Sequence, residues 1–117
     1  MAIDEHLSRA AQRLISRHVD SVGALDLLLL LHSGRDRDWS RQELCDRLRC
    51  PAAWASEQLT RLEAAGLVAE AAEGRYQYRR GPEYGPAVDE IARACRRDRA
   101  ALTRLIFTRP PGTSFAR

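Results

Sequence analysis

Trp39-Ser40-Arg41-Gln42-Glu43-Leu44, running on through Leu48 and Pro51 to Ala55-x-x-x-Leu59-x-x-Leu62-Glu63-x-Ala65-Gly66-Leu67-Val68, is the stretch on which the fold turns. Its opening fits a capping box, in which the Ser40 hydroxyl satisfies a free backbone amide and the Glu43 carboxylate reaches back to another. Trp39, just before the cap, is placed to staple into the helix. Leu44, Cys45 and Leu48 give this helix a buried face. The helix is short, because Pro51 interrupts the pattern and suits a turn or the first turn of a new helix. That second helix spans 51–65, turns Ala55, Leu59 and Leu62 inward, and ends at Gly66, a left-handed cap.

Working outward, the period changes after Gly66. Leu67-Val68 begins an extended segment, Glu73-Gly74 supplies a turn, and Arg75-Tyr76-Gln77-Tyr78-Arg79 alternates like a returning strand, which predicts a small antiparallel hairpin. Upstream, Asp20 and Ser21 can start a helix whose Val22, Leu25 and Leu28 to Leu31 are too uniformly apolar for a solvated position, so it belongs in the middle of the core. Ser33, Gly34 and the charged string Arg35-Asp36-Arg37-Asp38 end it and form a connection. Before it, Ile3 to Val19 forms an amphipathic helix that needs a partner. After Gly81-Pro82 and Gly85-Pro86, a last helical pattern carries Val88, Ile91, Ala92, Cys95, Leu102, Leu105, Ile106 and Phe107. With 117 residues and 44% apolar content, the chain supports one core and not two. The expected organisation is a single domain over 1–109 and a mobile tail over 110–117.

Two short helices, a Leu-x-x-Leu helix closing on Ala-Gly-Leu-Val, and a hairpin bearing Tyr76-x-Tyr78 resemble a winged helix-turn-helix domain over about Asp20 to Arg80. The flanking helices resemble those added in bacterial regulators of the broad MarR, ArsR and PadR type. The resemblance implies a mostly α fold with a small antiparallel β-hairpin. It also implies a DNA-binding transcriptional regulator, with helix 51–65 in the major groove and the wing, 67–80, on the phosphate backbone. The outer face of the helix would present Ala53, Trp54, Ser56, Glu57, Thr60 and Arg61, with Ser40 and Arg41 at the start of the preceding helix. Arg75, Arg79 and Arg80 would follow phosphates from the wing. Tyr76 and Tyr78 share one face by strand parity, which packs the wing onto the body. Trp54 either packs locally or anchors a protein interface.

Charge supports the double-stranded DNA reading weakly. All 19 basic residues besides histidine are Arg and the net charge is +3, yet 35–83 holds nine Arg against nine acidic residues. The surplus lies after residue 83, where Arg93, Arg96, Arg97, Arg99 and Arg104 could bind phosphate, an acidic protein partner or another subunit. A protein-protein interaction adaptor without specific DNA binding is therefore the alternative. Pairing of apolar stripes across a two-fold axis would give a homodimer, with Ile91, Leu102, Leu105, Ile106 and Phe107 as the expected interface.

Chemistry is not signalled. His6, His18 and His32 are scattered, and Cys45, Cys50 and Cys95 have no metal-ligand spacing. A P-loop, a G-x-G-x-x-G turn and H-E-x-x-H are all missing. No enzyme activity, cofactor or metal site is expected. The odd cysteine number and the short apolar runs lead to the expectation of a cytoplasmic protein with no membrane partner.

Overall fold

The computed structural model describes residues 7–107. The predicted helix start at Ile3 and the tail 110–117 fall outside the described residues. Among the described residues, five helices and three strands follow one another as α1 (Arg9–His18), α2 (Val22–Ser33), β1 (Asp38–Ser40), α3 (Arg41–Leu48), α4 (Ala52–Ala64), β2 (Val68–Ala72), β3 (Arg75–Tyr78) and α5 (Gly85–Phe107). The fold is mostly α with a small antiparallel sheet, as the sequence predicts. Its order from α2 to β3 is consistent with a winged-helix fold.

Local chemistry sets the boundaries. The Ser21 hydroxyl accepts from the Ala24 N–H and starts α2. At α3 both halves of the capping box form: Glu43 N–H donates to Ser40 Oγ at 3.0 Å, and Ser40 N–H donates to Glu43 Oε1 at 2.8 Å. That helix stops at Arg49, which takes a left-handed conformation at φ 55°. Pro51 flanks α4 as an extended N-cap residue rather than lying inside it. At the far end of α4, Leu67 N–H reaches the Leu62 carbonyl and Gly66 N–H the Glu63 carbonyl. This closure needs a left-handed residue, and Gly66 supplies it at φ +80°.

The sheet has three strands in the order β1-β3-β2, where the sequence suggests a two-stranded hairpin. The additional strand, Asp38–Ser40, pairs antiparallel with β3 through Trp39 opposite Tyr76. A three-residue strand inside a charged string is too short to show the alternation that marks strands. Its pairing is set by tertiary contact, because Trp39 is buried and its indole lies against Gly34, leaving no room for a Cβ there.

The core gathers Leu25, Leu27, Leu28 and Leu31 of α2 with residues from every other helix and from all three strands. As expected for its uniform apolarity, α2 runs through the centre. Alongside it, α1 and the first half of α5 are held together by Ser8 with Glu90 and by His18 edge-on to Tyr84 at 5.4 Å. The long last helix is not continuous. Asp98 leaves helical geometry at φ −158°, ψ 83°, and its carboxylate accepts from the Ala101 N–H at 3.1 Å, capping a second segment over 99–107. Arg99 then ties that segment to Asp26 of α2 at 2.7 Å.

Candidate nucleic-acid interface

Helix α4 is anchored along one side and open along the other. Ala55, Gln58, Leu59 and Leu62 are buried, and each buried Leu contributes roughly 1.5–3 kcal/mol to holding the helix. Ala52, Ala53, Glu57, Thr60 and Glu63 are exposed. Ala53, Glu57 and Thr60 thus stand on the predicted outer face. Trp54 and Ser56 are half-buried. The Trp54 ring lies against α2, with its Cζ2 3.2 Å from where a Cβ on Gly23 would stand. That contact is the local packing the sequence left open.

Most polar members of the expected contact set are engaged within the chain. Ser40 spends its hydroxyl on the α3 cap. Arg41 donates to Ser56 Oγ at 3.0 Å, which joins the start of α3 to the first half of α4 through a neutral partner and leaves the charge uncompensated. Arg61 pairs with Asp20 at 3.1 Å and also donates to the Arg17 carbonyl. Arg75 is bound twice, to Asp38 at 2.7 Å and to Glu43 at 3.2 Å, so the wing arginine stitches β3 to β1 and to the capping box. The Asp38 hydrogen bond, above all, holds the Arg75 guanidinium above its ordinary pKa. The Glu43 carboxyl is held below the ordinary range, first by the Ser40 N–H and then by Arg37 and Arg75. Arg80 pairs with Asp89 at 3.1 Å. Arg79 is exposed, and its side chain has no partner among the described residues.

The wing is correspondingly poor in free positive charge. Its turn exposes Ala71, Ala72, Glu73 and Gly74, and Glu70 accepts from the Gly74 N–H at 2.9 Å. Tyr78 is buried and Tyr76 half-buried, so the pair packs the wing onto the body as strand parity predicts. Arg49, which the sequence pattern did not single out, is exposed at the corner between α3 and α4 and has no side-chain partner among the described residues. Its signal is a basic residue just ahead of the proline that flanks the second helix.

Three of the five residues expected at a dimer interface are covered by the chain itself. Ile91, Leu102 and Ile106 are buried in the core of one chain, and Leu105 is half-buried against it. The Phe107 side chain lies outside the described residues. Among the described residues no group of His, Cys, Asp and Glu is arranged to hold a metal ion, and no helix is long and apolar enough to cross a membrane. Cys45 and Cys50 adjoin at the α3–α4 corner, where burial and the neighbouring thiol push the Cys50 pKa up, away from thiolate chemistry.

No family model, curated protein or solved structure matches the chain.

Proposed function

We propose that the protein is a DNA-binding regulator that lays α4 in the major groove. The observation that carries this reading is the α2-β1-α3-α4-β2-β3 order with α4 fixed by Leu59 and Leu62 and open along Ala53, Glu57 and Thr60. Arg41 and Arg49 flank that open face and supply the phosphate contacts, with Arg79 at the end of β3 as a third. Arg61, Arg75 and Arg80 serve instead as internal ties. Two such units in a homodimer would read a palindrome, through a surface other than buried Ile91, Leu102 and Ile106. Fluorescence anisotropy with a labelled duplex tests the assignment. Arg41→Ala is expected to weaken binding about tenfold or more, since a charge-assisted hydrogen bond contributes about 1.5–3 kcal/mol, and unchanged affinity removes Arg41 from the interface.

A protein-binding adaptor is the second reading. It is favoured by one observation: Glu57 and Glu63 lie on the exposed side of α4 while three of the expected DNA-contacting arginines are neutralised by carboxylates. Its partner interaction would persist at salt concentrations that dissociate DNA complexes.

A further inference from the structure

A cleft of about 740 Å³ opens where the end of α2, the end of β3 and the first half of α5 meet. Its volume falls within the roughly 300–1,000 Å³ typical of small-ligand sites. Four arginines line it, Arg35, Arg80, Arg93 and Arg96, against two carboxylates, Asp36 and Asp89. We propose that this cleft binds a small phosphate-bearing anion.

The carboxylates do not neutralise the arginines evenly. Asp89 accepts from His32 at 2.9 Å and pairs with Arg80 at 3.1 Å, so its two oxygens are both taken on one side of the cleft. His32 is held in turn by its edge-on contact with Tyr78 at 5.4 Å, and Tyr78 lines the same cleft. This Tyr78-His32-Asp89-Arg80 chain forms a fixed wall. Further along α5, Arg93 and Arg96 also line the cleft, three residues apart on neighbouring positions of one helix face. Neither has a side-chain partner among the described residues, although Asp89 is one turn from Arg93. Arg35 donates to the His32 carbonyl at 2.9 Å, which anchors the guanidinium without cancelling its charge. Three arginines with no carboxylate partner among the described residues, Arg35, Arg93 and Arg96, thus line one cleft with Asp36 as the remaining carboxylate.

Their mutual repulsion is relieved by an anion, and guanidinium forks match the tetrahedral, multiply charged phosphate group better than a monovalent ion. A ligand with two linked phosphates would span Arg93, Arg96 and Arg35 together. The site involves none of Arg41, Ala53, Glu57 and Thr60, so it stands independently of the nucleic-acid reading.

The test is calorimetric titration of the full chain with sodium pyrophosphate, and then inorganic phosphate, at constant ionic strength. Saturable binding of pyrophosphate, tighter than that of phosphate, is expected. Arg93→Ala combined with Arg96→Ala should weaken it at least about tenfold, given roughly 1.5–3 kcal/mol for each charge-assisted hydrogen bond, while Arg41→Ala leaves it unchanged. Both arginines are exposed and have no side-chain partner among the described residues, so the double variant keeps its fold, which circular dichroism verifies. No saturable pyrophosphate binding by the unaltered chain overturns the site, and so does equal affinity in the double variant. If pyrophosphate fails to bind while the double variant loses affinity for duplex DNA, these arginines contact nucleic acid and the small-anion site is wrong.

Discussion

Ser40 shows how one hydroxyl can be claimed by folding before it is available for recognition. It accepts from the Glu43 N–H while Glu43 returns to the Ser40 N–H, and the same carboxylate also receives Arg75. Ser40→Ala is expected to lower stability by about 1 kcal/mol, the usual effect of losing a cap, in urea unfolding, with duplex affinity unchanged once the protein is folded. Asp89 makes a second prediction at this scale. The hydrogen bond from His32, then that from Arg80, keep its pKa below the ordinary 3.8. A carboxyl depressed in the folded state contributes stability that is present above its unfolded value and lost as pH falls through the folded one. Around it stand His32, Tyr78, Arg35 and Arg80. Thermal unfolding midpoints should therefore fall below pH 3.8, and Asp89→Asn should flatten that acid limb while lowering stability at neutral pH. An acid limb identical in the two proteins would show that Asp89 does not carry it. The capping box was legible in the sequence because its four residues are local. The Asp89 pairings were not, because they join residues far apart in the chain.

Among the elements, α4 and the wing divide the roles that the winged-helix resemblance assigned to both. Helix α4 exposes Ala53, Glu57 and Thr60 of the predicted face and half-buries Trp54, Ser56 and Arg61, since Leu59 and Leu62 at helical spacing fix which side is buried. The wing differs because Arg75 is consumed by Asp38 and Glu43 and Arg80 by Asp89, which leaves Arg79 as the one of its three arginines with no carboxylate partner among the described residues. Asp38 belongs to β1, the strand that the alternation rule is blind to at three residues. Without that strand, Arg75 reads as a free cation. The consequence is measurable in the salt dependence of duplex binding. Arg41→Ala should reduce the slope of log K against log salt by about one, as expected for one lost phosphate contact, whereas Arg75→Ala should leave the slope unaltered. A slope reduced by Arg75→Ala would return Arg75 to the phosphate backbone. The kink in α5 has the same origin as the missed strand. Asp98 caps a new segment inside a continuous amphipathic pattern, and the pattern alone shows one helix.

Across the whole molecule, the flanking helices complete the core of a single chain. Leu102 and Ile106 reach into the cluster built on α2, and Arg99 fastens their segment to Asp26. Leu102→Ala should cost about 2–5 kcal/mol, the range for truncating a fully buried Leu, measured by urea denaturation. A loss below 1 kcal/mol would mean that this segment is not packed as described. Amphipathicity in the last helix was readable, but which surface would cover it was not, since spacing is the same whether the partner is α1, α2 or a second chain. Arg41, Arg49 and Arg79 are among the exposed arginines around α4 and the sheet that have no carboxylate partner among the described residues. Titrating the folded protein into labelled mixed-sequence duplex at low and at higher salt tests DNA binding itself. Saturable binding is expected at low salt, with log K falling against log salt at a slope of about −2 to −3 for each chain, near −0.9 for every phosphate neutralised. No binding at low salt, or binding indifferent to salt, would contradict it.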